Sequence, residues 1–236
     1  MKTIIHRAES RGTTTTDWLN SRHSFSFGEY YDPNRVRFGA LRVLNDDVVA
    51  PGAGFGTHPH RDMEIVTIPL SGALEHKDST GATGVLRPGR LQVMSAGTGI
   101  FHSEYNHSKT EAVSFLQIWI LPSRRGLTPR YDEKDFSALL NGNGLLAVVS
   151  PDDSEAALRI SQNARFSLGR LDAGSSMEYR LGEGNQGLYA FIIDGVAQIG
   201  EETLSSRDGI GITETEAVAV DAVTSCQFLL IEVPMD

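Results

Sequence analysis

The chain has 236 residues, 40% of them hydrophobic and 22% charged, which describes an ordinary globular protein of one large or two small domains. A net charge of −9 argues against direct nucleic-acid binding, which rests on neutralising phosphates. The single cysteine, Cys226, excludes an internal disulfide and fits a reducing compartment, and no run of about 18 apolar residues predicts a membrane span.

Met1–Ser10 lacks the long apolar core of a secretory signal, so the cytoplasm is the expected location. The charge is divided unevenly. Residues 1–135 carry 16 Lys and Arg against 15 Asp and Glu, whereas residues 136–236 carry 5 against 15. All seven histidines (6, 23, 58, 60, 76, 102 and 107) lie in the first part. The two halves are therefore expected to do different chemistry.

Glycine is abundant (24), turn signals recur every several residues, and no 3.6-residue apolar period persists, which predicts many short strands. Residues 1–35 are rich in aromatics, of which Trp18, Phe25, Phe27 and Tyr31 are expected in the core. Phe38–Asn45 reads as a strand closed by the turn Asn45-Asp46-Asp47. Further strands are predicted at Ile65–Leu70, Ala73–His76, Leu91–Met94 and Ser114–Leu121. Pro122–Asp135, charged and proline-bearing, reads as a linker.

The second half repeats this outline. Asp194-Gly195 follows the strand Leu188–Ile193 as Ser71-Gly72 follows Ile65–Leu70, Asp208-Gly209 answers Pro88-Gly89, and Phe228–Pro234 answers Phe115–Pro122. The second half covers the course in fewer residues, and the surplus of the first falls around Gly97–Glu111. Two similar barrels are expected, at 1–135 and 136–236, the second without a functional loop.

The chemistry is expected at two pairs. In Gly52–Glu64, His58 and His60 stand two apart, and on a strand residues i and i+2 share a face. His102 and Glu104 are spaced alike in Gly97–Glu104. Neighbouring strands carrying these pairs would bring three imidazoles and one carboxylate around one centre. That donor set suits a first-row divalent metal such as iron, nickel, copper or manganese, with two positions left open on an octahedral ion. Glu64 also has inward parity relative to His60, so spacing alone leaves the two glutamates unranked. Phe55 is expected to shape the mouth of the pocket. Other conspicuous residues read blandly: His76 as a solvated strand end, His107 as a loop residue, His6 and His23 as lacking partners at ligand spacing, and Arg124 and Arg125 as solvated. Cys226 reads as a buried thiol.

The spacing Gly52-x5-His58-x-His60-x3-Glu64 resembles the first motif of the cupin superfamily. Phe25–Pro33, Leu41–Asp47, Gly54–Glu64, Ser95–Asn106 and Gln117–Ile120 together resemble the pirin family of bicupins, including quercetin 2,3-dioxygenase-like bacterial pirins. The second cupin motif departs from the general pattern, with Ser95-Ala96-Gly97 in place of Pro-x-Gly and four residues, rather than two, between Gly97 and His102. The resemblance implies an all-β fold of two consecutive cupin-type (double-stranded β-helix, jelly-roll) barrels with few short helices. It implies one metal, usually iron, with Ni, Mn, Cu, Co or Zn as alternatives, held by His58, His60, His102 and Glu104. Glu64 is left as a residue supporting the site. The implied activity is dioxygenation of a flavonol-like small molecule with O2, with Glu104 taking the substrate's hydroxyl proton. The rival expectation is a non-catalytic regulatory protein whose acidic second barrel meets a protein partner. The protein is expected to be a monomer.

Overall fold

Period-two burial sets the elements. In Ala217–Ala222, for example, buried Val218, Val220 and Ala222 alternate with less buried neighbours, as on a strand with one face inward. The computed structural model describes residues 1–139, 142–152, 156–183 and 187–235. Among them are 22 strands and a single three-residue 3-10 turn, Ala8–Ser10, as the all-β expectation requires.

In chain order the strands begin with β1 (Lys2–His6), β2 (Gly12–Thr15), β3 (Leu19–His23), β4 (Leu41–Val49), β5 (Gly54–His60) and β6 (Glu64–Ser71). Then come β7 (Leu74–Asp78), β8 (Thr83–Leu86), β9 (Arg90–Ser95), β10 (Ile100–Asn106), β11 (Val113–Ile120) and β12 (Arg130–Asp135). The second half supplies β13 (Gly144–Ser150), β14 (Leu158–Arg159), β15 (Arg165–Leu171), β16 (Ser176–Arg180) and β17 (Gly187–Asp194). It ends with β18 (Val196–Ile199), β19 (Glu202–Ser205), β20 (Gly209–Thr213), β21 (Ala217–Ala222) and β22 (Cys226–Val233).

Each barrel pairs a seven-stranded sheet with a four-stranded one. The first has the orders β12-β9-β6-β11-β4-β3-β2 and β5-β10-β7-β8. The second has β1-β20-β17-β22-β15-β13-β14 and β16-β21-β18-β19. The orders match strand for strand, so the repeat seen in the turns is a repeat of topology. Two departures interrupt it. At one edge β14 follows β13 and pairs with it parallel, where β2 precedes β3 and pairs antiparallel. At the other edge the strands are exchanged. β12, which follows the first barrel, forms that barrel's edge on β9, whereas the corresponding edge of the second barrel, on β20, is β1 from the start of the chain.

Much of the linker expected at Pro122–Asp135 is therefore strand. Its charges decorate an edge, a usual way to keep an edge strand from pairing further, while Tyr131 packs inward. Likewise β4 does not stop at Asn45-Asp46-Asp47 but runs on to Val49, with Asn45, Asp47 and Val49 buried on one face.

The largest apolar cluster lies between the two large sheets, where Val66, Ile68, Leu116 and Ile118 meet Phe166, Tyr189, Phe191, Leu229 and Ile231. The other face of each sheet looks into its own barrel. Both faces of β6, β11, β17 and β22 are buried, which is why these strands read as nearly unbroken apolar runs. Inside the second barrel, Ala197, Ile199, Val218 and Val220 form a core with Met177 and Tyr179 packed against it. These lie on β16, β18 and β21, which correspond to β5, β7 and β10.

Two marker glycines turn the chain at equivalent places. Gly72 (φ +73°) and Gly195 (φ +87°) occupy the left-handed region, where a Cβ would run into the backbone at Ala112–Val113 and Ser225–Cys226 respectively. Gly72→Ala is expected to cost at least about 1–2 kcal/mol from the left-handed conformation alone, with the collision adding to it. The shift of the urea unfolding midpoint measures this.

Candidate metal centre

The glycine-rich approach to His58 matters to its aim. β5 and β10 pair antiparallel with His102 opposite His58, but the register then shifts so that Glu104 faces Phe55. The bulge falls at Gly56–Thr57, and bulges commonly re-aim side chains beside functional sites. His58 Nδ1 lies 2.8 Å from the Gly56 carbonyl, which can only accept, so this nitrogen carries the hydrogen and Nε2 keeps its lone pair.

His58 Nε2 is 3.0 Å from His102 Nε2. The His60 ring centroid lies 4.8 Å from the centroids of both. One ligand-capable atom from each of His58, His60 and His102 falls within 4.8 Å of the others. His76, His102 and Glu104 form a second set within the same span. The structure thus brings the three predicted imidazoles together and sets Glu104 beside His102. Burial and the neighbouring imidazoles lower His102 to about 2, and burial with His58 lowers His60 to about 4, so both stay neutral with lone pairs to offer.

Glu104 is fully buried in a net of neutral donors. Gln117 Nε2 donates to its Oε2 at 2.7 Å, and Gln92 Nε2 and Thr67 Oγ1 donate to its Oε1 at 3.1 and 3.5 Å. Burial, with Asp47 nearby, still outweighs these and pushes the carboxyl up to about 7.

The donor set suits a divalent transition ion. Two nitrogens bound at right angles to one ion at about 2.0–2.1 Å stand about 3 Å apart, which matches the His58–His102 spacing. Three imidazole nitrogens and one oxygen leave room for further ligands.

Glu64 lies elsewhere. Its Oε2 accepts from Ser95 Oγ at 2.9 Å and from the Ser161 N–H at 3.2 Å, which ties the first barrel to the second. Parity does not carry over from His60 because Asp62 takes φ +49° and breaks the strand. Glu64 opens β6 on the face that Val66 and Ile68 turn toward the other barrel.

A cavity of about 350 Å3 opens on the three histidines, walled by Phe27, Phe55 and Trp119 on one part and by Ser21, His23, Asn45 and Asp47 on another. Phe55 meets the edge of Trp18 at 5.1 Å, and Trp119 meets the edges of His60 at 4.9 Å and Phe27 at 5.3 Å. Of the four aromatics expected in the core, Phe25 is fully buried, Trp18 and Phe27 are half-buried, and Tyr31 is 73% exposed.

The polar wall was missed in the sequence. His23 Nδ1 is 2.8 Å from Asn45 Oδ1 and its Nε2 is 2.9 Å from Thr14 Oγ1. Burial lifts Asp47 to about 7. The signal for this wall was present as Val43, Asn45, Asp47 and Val49, a period of two running through the supposed turn. His76 is a second correction. It is fully buried, because the charged Glu75 and Lys77 point outward from the same strand while His76 points in. His107 lies just past β10, with Nδ1 3.0 Å from Glu75, and His6 is buried against the Tyr189 hydroxyl at 2.8 Å.

Comparison with known proteins accords with this geometry. The family model described as Pirin matches residues 5–120, and that described as Quercetinase C-terminal cupin domain matches residues 147–233. The chain is 40% identical to quercetin 2,3-dioxygenase of Escherichia coli strain K12 over 230 residues, covering 98% of each chain. It superposes on the crystal structure of bacterial pirin YhhW from Escherichia coli in complex with nickel(II) with a TM-score of 0.94 and 38% identity, covering 100% of both. Quercetin 2,3-dioxygenase from Acinetobacter baumannii, at 22% identity and a TM-score of 0.79 over 98% of this chain and 85% of that one, shares the fold.

Proposed function

This chain belongs to the pirin family, and on that premise we propose that it is a metal-dependent dioxygenase of the quercetin 2,3-dioxygenase type, which cleaves a flavonol-like hydroxy-ketone with O2. The observation that carries the reading is the convergence of three imidazoles, beside a buried carboxylate, at the base of an aromatic-walled cavity. His58, His60, His102 and Glu104 would hold one divalent ion, with iron first and nickel, manganese, copper, cobalt or zinc as alternatives. Bound there, the ion supplies Lewis acidity that polarises a carbonyl and acidifies a neighbouring hydroxyl.

The protein's own residues do the rest. Phe27, Phe55 and Trp119 hold flat aromatic rings and keep water out, in a cavity within the range of about 300–1,000 Å3 usual for small-molecule sites. Glu104, whose carboxyl is pushed by burial up to about 7, is a stronger base than an ordinary carboxylate and takes the proton from the substrate hydroxyl. Gln117 and Gln92 keep its oxygens aimed by donating to the charged form. Asn45 and Asp47 offer hydrogen bonds to polar groups on the far edge of the substrate, with His23 holding Asn45 in place.

The test is aerobic incubation of the metal-loaded protein with quercetin. Loss of the flavonol absorbance with release of carbon monoxide is expected. No turnover by fully loaded iron, nickel, manganese, copper or cobalt forms would overturn the dioxygenase reading in favour of a metal-binding regulatory protein.

A further inference from the structure

The small sheet of the first barrel presents three residue pairs at i and i+2, and the site described above uses two. β5 carries His58 and His60, β10 carries His102 and Glu104, and β7, on the other side of β10, carries His76 and Asp78. In the β7–β10 register Asp78 lies opposite His102 and His76 opposite Glu104, so the third pair faces the same interior. Neither side chain of that pair has any exposure. Buried polar groups are costly unless they are hydrogen-bonded.

The hydrogen bonds around the pair fix its tautomer. Asp78 Oδ1 accepts from the Thr80 N–H at 2.8 Å, Thr80 Oγ1 at 2.6 Å and the Ala82 N–H at 3.2 Å. Its Oδ2 is 3.0 Å from His76 Nε2. A carboxylate so placed accepts, so His76 donates from Nε2 and its Nδ1 is left as a lone pair, buried and without a protein partner. His102 is its complement. Its Nε2 faces His58, and its Nδ1 is likewise buried without a protein partner. The two ring centroids are 5.4 Å apart. The His76 ring is locked by stacking on Tyr131 at 4.4 Å and 17°, and the Tyr131 hydroxyl donates to Glu133 at 2.8 Å.

We infer that His76 and Asp78 are positioning residues for His102: one water spans the space shared by His76, His102 and Glu104, accepting from His102 Nδ1–H and donating to His76 Nδ1. The three side chains offer atoms within 4.8 Å of one another, which gives such a water the two to four polar partners it needs. The arm runs from His102 through His76 and Asp78 to the turn at Thr80. It holds His102 in the tautomer whose Nε2 is free to bind an ion and makes that nitrogen a stronger donor, as partners behind metal-bound histidines do. The inference rests on the metal-centre reading.

Asp78→Asn tests it. The N–H groups of Thr80 and Ala82 pin the amide oxygen, so the amide nitrogen must face His76 Nε2 and force the His76 hydrogen onto Nδ1. His76 then donates where it accepted. His76→Phe removes the acceptor while keeping the stack on Tyr131. Nickel(II) affinity, measured by chelator competition, is expected to fall about 10–100-fold in both variants. In the cobalt(II)-loaded parent, the paramagnetically shifted exchangeable ring N–H resonance of His102 is expected to exchange slowly, and in Asp78→Asn to exchange rapidly. Melting curves of the metal-free proteins identify a variant that fails to fold, in which case the other decides. Folded variants that bind nickel within twofold of the parent, with an unchanged N–H resonance, overturn the arm. His58→Ala separates the two readings. If it loses nickel while Asp78→Asn keeps it, only the arm fails, and if it keeps nickel, the centre itself is wrong.

Discussion

His102→Ala is expected to yield a folded protein that retains no divalent metal through gel filtration, against about one ion per chain in the parent. The side chain sits at the junction of the cluster. Its Nε2 faces His58 Nε2 at 3.0 Å, its ring lies against His60, and Glu104 shares its strand and its face. Removing it deletes a donor and leaves the remaining imidazoles without the neighbour that closes their spacing. Loss of a residue behind a metal ligand costs about 10–100-fold in affinity, and loss of a ligand is expected to exceed the upper end of that range. The fold tolerates the change, since the equivalent interior of the second barrel holds its shape with valines, alanine and isoleucine in place of any histidine. Elemental analysis of the purified proteins measures the outcome, and full metal content in His102→Ala would remove it from the ligand set.

The second large effect is on turnover. Glu104→Gln preserves shape but removes the carboxylate, and with it both the oxygen ligand and the proton acceptor. Loss of general base catalysis alone is worth about 10²–10⁴ in rate, so Glu104→Gln is expected to lose at least that much kcat on quercetin under saturating metal. Glu64 provides the contrast. Glu64→Gln is expected to leave turnover unchanged, because Glu64 joins the barrels through Ser95 and Ser161 rather than lining the cavity. Glu64→Ala is expected to lower stability by about 1–3 kcal/mol by stranding those buried donors. Steady-state kinetics of the two Gln variants side by side, with urea melts of Glu64→Ala, make the measurement. Equal losses of turnover in both Gln variants would refute the division of roles.

What could be read in the sequence was whatever alternation wrote there without interruption. His58 with His60 and His102 with Glu104 stand out because a strand sends i and i+2 to one face, and the bulge at Gly56–Thr57 falls before His58 and leaves its pair intact. Glu64 misled because parity was counted through Asp62, whose left-handed backbone resets it. Asp47 was hidden by chemistry. Asn-Asp-Asp is typical turn composition, and it is pairing with β3 on one side and β11 on the other that makes it strand. His76 was hidden by its neighbours, since Glu75 and Lys77 suggested water although they occupy the opposite face. In each case the local residue type pointed one way and the tertiary partner decided otherwise. The strand at Arg130–Asp135 was lost for a related reason, because an edge needs its charges outward and so reads as a linker.

The exchange of edge strands has a consequence for the order in which the molecule is completed. β12 emerges soon after its partner β9, so the first barrel has all its strands once residue 135 has been made. β1 precedes every strand of the first barrel, yet Lys2–His6 pairs with Gly209–Thr213, about two hundred residues further along the chain. Those five residues must wait for their partner until residues 209–213 have been made, and the second barrel cannot close its sheet until they return. A contact so distant in sequence is slow to form. β1 therefore acts as a clasp that fastens only once β20 is in place, and a nascent chain stalled before residue 209 would carry it open.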